Sequence, residues 1–132
     1  MTVTVLIVDD EPDVEIMFRQ HFRREVRQGR YTLDFALSGA AALEKLADHV
    51  GDDVILLLSD INMPGMSGLE LLPKVKQQRP GLPVFMISAY GDAGTVAAAM
   101  QRGADMFLTK PVDFPQLKQA VSSVAESAGG GG

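Results

Sequence analysis

Residues 54–68 read VILLLSDINMPGMSG: an unbroken apolar run passes through Ser59 to Asp60, and a stretch with one proline, two glycines and a serine follows. A strand apolar at every position is covered on both faces, the usual state of a parallel strand between two layers of helices. Four further runs of strand length occur: VTVLIV (3–8), YTLDFA (31–36), PVFMIS (83–88) and DMFLT (105–109). The first and fourth of the five runs are also nearly continuous. The second alternates, as a strand at a sheet edge does.

The segments between these runs have helical spacing. Over 12–27, Val14, Phe18, Phe22 and Val26 recur every four residues to form one apolar stripe, and Pro12 suits a first turn. Segment 39–49 follows Ser38, and segment 68–78 follows Ser67 with Glu70 three residues on, a capping-box pattern. Segment 92–102 starts at Asp92; segment 113–127 opens on Asp113 and Gln116 and places Leu117, Val121 and Val124 on one side. The alternation predicts an α/β fold, (βα)5, with a doubly wound five-stranded parallel sheet. Pro73 predicts a kink or a late helix start, because an interior proline removes a helix hydrogen bond at a cost of about 3 kcal/mol. SAGGGG at the end has no apolar periodicity, so the domain is expected to span 1–127, with 128–132 a Gly-rich linker or an appended tail.

The chain has 132 residues, enough for one domain with its own core, and no cysteine, so thiolate metal sites, disulfides and cysteine nucleophiles are excluded. No stretch has the roughly 18 apolar residues of a membrane span, and the N-terminus turns acidic too early for a signal peptide, so a cytoplasmic location is expected. A formal net charge of −5 argues against direct nucleic-acid binding, which draws on clustered Lys and Arg.

Ligands of such sheets bind at the carboxyl ends of the strands. Asp9 and Asp10 end the first run, Asp60 the third and Ser88 the fourth, and Lys110 follows the fifth. Each has an ordinary structural reading: Asp10 or Glu11 as a helix cap, Ser88 as a turn hydroxyl, Lys110 as a solvated surface cation. Asp60 resists that treatment because Ser67 already caps the next helix. The joint placement carries the functional reading. Carboxylates about 4 Å apart repel by roughly 4 kcal/mol per pair at an effective dielectric of 20. A cation relieves this, and hard oxygen ligands without His or Cys suit Mg2+. Ser88 and Lys110 would hold phosphoryl oxygens, and Asp60 is the available nucleophile.

LIVDDEPD, LLLSDINMPGMSGLELL, FMISAYGD and MFLTKP resemble the signature blocks of response-regulator receiver domains, the CheY-like modules of two-component signalling. The resemblance covers 3–126 in order and spacing. It implies a flavodoxin-like sheet with strand order 2-1-3-4-5. It also implies that Asp60 accepts a phosphoryl group from a phosphohistidine of a sensor histidine kinase or histidine phosphotransfer protein. Asp9, Asp10, Asp60 and the backbone carbonyl of Asn62 would hold Mg2+, Ser88 would hydrogen-bond the phosphoryl group, and Lys110 would pair with it. The Lys110–Pro111 bond is implied to be cis. Ser88 and Phe107 would form a switch acting on the surface of the fourth helix, fifth strand and fifth helix, while Asn62 and Tyr90 would tune the lifetime of the acyl phosphate. Such a domain is no enzyme beyond its own phosphorylation and dephosphorylation. Its output domain or partner stays unspecified. Ser88 stands where threonine is commoner, and Pro73 is a less usual departure.

Two other readings compete. A haloacid-dehalogenase-type phosphatase uses similar groups, but its nucleophile follows the first strand in a D-x-D motif and its acidic pair comes late, the reverse of the order here. An unphosphorylated receiver-like binding module would not need the intact set. RQHFRREVRQGR (19–30) holds five of the twelve basic residues, with Arg19, Arg23 and Arg27 on one helical face, ordinarily a solvated one. This helix, beside Asp10, is also expected to help dock the kinase. His21 and His49 lack ligand partners at suitable spacing and are read as surface residues.

Overall fold

The computed structural model describes residues 3–48 and 53–130; His49 and the last two residues of the glycine tail lie outside that range. The chain forms β1 (Val3–Val8), α1 (Pro12–His21), α2 (Arg23–Arg27), β2 (Tyr31–Ala36), α3 (Gly39–Asp48), β3 (Val54–Asp60), α4 (Gly68–Gln78), β4 (Val84–Ser88), α5 (Ala93–Gln101), β5 (Met106–Thr109) and α6 (Phe114–Gly130). The five strands pair in parallel in the order β2-β1-β3-β4-β5. β3, at the centre, is buried at all seven positions, whereas β2 at the edge alternates, as the two sequence patterns require.

Side-chain alternation divides the core in two. Leu6, Val8, Leu57, Val84 and Met86 face α3, α4 and α5, meeting Ala42, Leu46, Leu71, Leu72, Val75 and Ala99. Val5, Ile7, Leu58, Phe85 and Ile87 face α1 and α6, meeting Phe18, Phe22, Phe114, Leu117 and Val121. The sheet is therefore wound on both sides. The caps fall where the sequence places them: the amides of Ala41, Glu70, Thr95 and Gln116 donate to Ser38, Ser67, Asp92 and Asp113 at 3.1, 3.2, 3.1 and 3.1 Å.

Three elements differ from the sequence reading. The helix expected over 12–27 opens at Phe22 (φ −101, ψ 12) and becomes α1 and α2. The Phe22 ring there sits among Phe18, Tyr31 and Phe114 at centroid distances of 6.1, 6.3 and 6.4 Å. The opened turn rotates α2 relative to α1, so Val26 leaves the apolar stripe and is 38% exposed. Because of this division, α5 and α6 are the fourth and fifth helices of the sequence reading. At the other end, α6 extends to Gly130, since propagating a formed helix adds one hydrogen bond per residue fixed.

The third difference concerns Pro73, which lies inside α4 without delaying its start. Proline has no N–H, so the Leu69 carbonyl four residues earlier lacks its helical donor. Arg102, just beyond α5, supplies one: its Nη1 donates to the Leu69 carbonyl at 2.8 Å. Arg102→Ala is expected to lower the unfolding free energy by roughly 1 kcal/mol in urea titrations, and by less in a Pro73→Ala background, where residue 73 regains its N–H. Equal losses in both backgrounds would contradict this role of Arg102.

Candidate functional site

Register builds the site. Val8 pairs with Ser59, so the next residues along, Asp9 and Asp60, emerge side by side. Asp60 pairs with Ile87, which sets Ser88 one step beyond, and Ser88 pairs with Thr109, which sets Lys110 beyond that. Four groups distant in sequence thus meet at one edge of the sheet. The Lys110 amide donates to the Ser88 carbonyl at 2.9 Å, and the Lys110–Pro111 bond is cis.

Asp9, Asp10 and Asp60 each place one carboxylate oxygen within 4.8 Å of the others. Asp9 and Asp60 are buried and Asp10 is half-buried. Lys110 Nζ lies 3.3 Å from Asp60 Oδ1 and 3.7 Å from Asp9 Oδ2. Burial raises the Asp60 pKa above its ordinary value, with Asp10 adding to the rise and Lys110 opposing it. Burial likewise raises Asp9, against the hydrogen bond that its Oδ1 accepts from the Glu11 amide at 3.0 Å. For Lys110, burial pulls the pKa down, but the Asp60 and Asp9 carboxylates outweigh it and the net shift is upward. A single ammonium does not compensate three carboxylates, and an all-oxygen donor set of this kind fits a hard divalent cation. Of the two acids that could cap α1, Glu11 takes the N-cap position, without a side-chain cap bond, and Asp10 does not.

Ser88 is fully buried, and its Oγ accepts from the Tyr90 amide at 3.0 Å and from Asn62 Nδ2 at 3.5 Å. Asn62 and Tyr90 are themselves exposed. Phe107 is half-buried and packs on the core shared by α3, α4 and α5.

Gly68 is a site residue that sequence reading passed over. A β-carbon there would collide with the Asp60 carbonyl oxygen and lie 2.8 Å from both Ile61 Cα and Met86 Cε. Its visible signal was only its place after a helix cap. His21 is exposed, in line with its reading as a surface residue. Its ring stacks on Phe114 at 3.7 Å, and both line a cavity of about 530 Å3 that opens beside Asp9, Asp60 and Lys110. Arg19, one of the arginines expected on an open face, is engaged by Glu15 at 2.9 Å and lies over the Phe35 ring at 4.9 Å.

Comparison with known proteins agrees with this geometry. The family described as response regulator receiver domain matches residues 5–122. The response regulator protein PilR of Pseudomonas aeruginosa is 41% identical over 120 residues, covering 89% of this chain and 25% of PilR. The DNA-binding transcriptional regulator NtrC of Escherichia coli is 36% identical over 126 residues, covering 92% of this chain and 25% of NtrC. The chain thus spans about a quarter of the length of these curated relatives. Among solved structures, a CheY-like receiver domain protein from Methanospirillum hungatei superposes with a TM-score of 0.85 at 26% identity over 100% of both chains. The response regulator TrrA from Thermotoga maritima, crystallised with Mg2+ and BeF, superposes with a TM-score of 0.77 at 27% identity over 92% of this chain and 98% of TrrA.

The site as built dictates two outcomes. With metal excluded, the raised Asp60 pKa means that the folded state binds more protons than the unfolded one just above pH 3.8, so stability falls as pH rises through the folded value. Asp60→Asn should therefore raise the metal-free unfolding midpoint at neutral pH and change it little below the unfolded-state pKa; equal effects at both pH values would contradict the assigned cause. Gly68→Ala should cost about 1–3 kcal/mol in denaturant titrations, because Asp60 and Ile61 backbone would have to move.

Proposed function

This chain belongs to the response-regulator receiver family and is a phosphoacceptor signalling domain of two-component systems; within it, we propose that Asp60 is the residue that receives the phosphoryl group. The carrying observation is the convergence of the Asp9, Asp10 and Asp60 carboxylates with Lys110 at the edge that also holds Ser88. An Asp60 carboxylate oxygen attacks the phosphorus of a phosphohistidine, a P–O bond forms as the P–N bond breaks, and the released imidazole nitrogen takes up a proton. Lys110, 3.3 Å from Asp60, pairs with phosphoryl oxygens once they arrive, and the Ser88 hydroxyl donates to another. Asp9, Asp10 and Asp60, with the Asn62 backbone carbonyl, would hold Mg2+, which supplies charge neutralisation to the carboxylates and the entering phosphoryl group.

Loss of the phosphoryl group to water regenerates the Asp60 carboxylate and inorganic phosphate, so the domain acts only on its own phosphorylation state. Asn62 and Tyr90, exposed at the rim, control how readily water reaches the acyl phosphate. The phosphoryl group adds about −1.5 to −2 charges beside Ser88. Ser88 moving toward it, and Phe107 turning in behind, would alter the surface of α5, β5 and α6. The donor is a sensor histidine kinase or a histidine phosphotransfer protein, acting in the cytoplasm. No helix among the described residues is long and apolar enough to cross a membrane.

The test is intact mass after incubation with Mg2+ and acetyl phosphate. One labile phosphoryl adduct is expected, absent in Asp60→Asn and when Mg2+ is chelated. An undiminished adduct in Asp60→Asn, or steady turnover of a generic phosphate ester, would overturn the assignment.

A further inference from the structure

A groove of about 800 Å3 where α1, α2 and α6 meet is lined by Arg23, Arg24, Arg27 and Lys118, with His21 and two glutamines, and by no carboxylate. Composition does not explain it, since the chain has 17 acidic and 12 basic residues. Two of the lining groups are fixed in place. Lys118 is held by Glu25 at 3.2 Å and lies over the Phe22 ring at 5.5 Å, and the His21 ring stacks on Phe114 at 3.7 Å. Arg23, Arg24 and Arg27 are exposed and have no side-chain ion pair, hydrogen bond or ring contact among the described residues. Arg23 and Arg27, four residues apart on α2, repel as like charges on one helix face. Glu25, the acid nearest to them in sequence, is already engaged by Lys118 and does not relieve this.

The lining is dominated by cationic donors, so a matching occupant is rich in acceptors and multiply charged. A guanidinium fork binds a phosphate through two parallel N–H···O bonds, and a phosphate group presents more acceptor oxygens than a carboxylate does. The reach of the positive charge limits the length of the occupant. Beyond the groove, α1 carries Asp13 and Glu15 and comes directly after Asp9, Asp10 and Glu11. A long uniform polyanion seated on the arginines would run onto these acids and be repelled, whereas a compact one stays within the cationic stretch. The groove volume also lies within the range of about 300–1,000 Å3 usual for small-molecule sites.

We propose that this groove is a binding site for a short, multiply charged phosphate chain, the chemistry shared by inorganic tripolyphosphate and a nucleoside triphosphate. Arg23, Arg24 and Arg27 take the chain through paired N–H···O bonds, and Lys118 adds its charge from α6. Ten residues of helix separate the groove from the start of α1 by roughly 15 Å. The site is therefore distinct from the Asp9, Asp10 and Asp60 cluster and does not depend on the role of Asp60.

The test is calorimetric titration of the full chain with tripolyphosphate and, separately, with a nucleoside triphosphate, both without Mg2+ so that the acidic cluster and the ligand do not share a metal. Saturable binding at one site is expected. Equal affinities place recognition in the phosphate chain alone, and a tighter nucleoside triphosphate adds the base and sugar to it. Arg23→Gln/Arg27→Gln should weaken binding at least about ten-fold while keeping the wild-type unfolding midpoint, because neither side chain has a partner to lose. Arg19→Gln/Arg30→Gln removes the same charge from arginines engaged by Glu15 and the Tyr31 ring, and should change affinity less than about two-fold. Sulfate and citrate should bind at least about ten-fold more weakly than tripolyphosphate. No saturable binding of either phosphate compound, equal losses in the two double variants, or sulfate or citrate binding as tightly would each overturn the proposal. So would arginine-dependent binding that is tighter for a single-stranded oligonucleotide or for vesicles of anionic phospholipid than for tripolyphosphate.

Discussion

Three carboxylate oxygens within 4.8 Å of one another at the end of a parallel sheet are an electrostatic cost that the fold imposes on itself. Asp9 and Asp60 cannot separate, because each extends a strand locked to its neighbour through the pairing of Val8 with Ser59. Burial of both strands keeps water from dissipating the repulsion. Lys110 offsets part of it from the end of β5, and the remainder makes the edge a receptor for positive charge. A site of this kind suits a hard divalent cation.

Much of this was legible in the sequence because it depends on where strands end. Uninterrupted apolar runs identify parallel strands, and the polar residue after each then falls at the same edge. This logic located Asp9, Asp10, Asp60, Ser88 and Lys110 together. The caps at Ser38, Ser67, Asp92 and Asp113 were legible for a similar reason, since each acts within three residues. Features that depend on distant side chains were not legible. Arg102 reaches a carbonyl 33 residues away in sequence, orphaned by Pro73, and only the packing of α5 on α4 reveals the pairing. The opening at Phe22 has no glycine or proline to announce it and arises from an aromatic cluster that includes Phe114. His21 gives no sequence hint of its stack on the same ring.

The first helix leads away from the site and carries a gradient of charge. It starts at the acidic edge, exposes two apolar residues at mid-length and leads into α2, whose Arg23, Arg24 and Arg27 pair with no carboxylate among the described residues. Acid near a helix N-terminus and base near its C-terminus suit the helix dipole, which accounts for the gradient along α1. The dipole does not account for Lys118 joining the arginines from α6, or for the groove lacking any acid.

The repulsion among Asp9, Asp10 and Asp60, and its relief by a divalent cation, are tested most directly by thermal unfolding at neutral pH with and without Mg2+. The unfolding midpoint of the wild-type chain should rise with Mg2+ concentration, as binding to the folded state alone requires, and the rise should vanish in Asp9→Asn/Asp10→Asn. A wild-type midpoint indifferent to Mg2+, or an equal rise in the double variant, would contradict the assignment of this carboxylate cluster as the cation site.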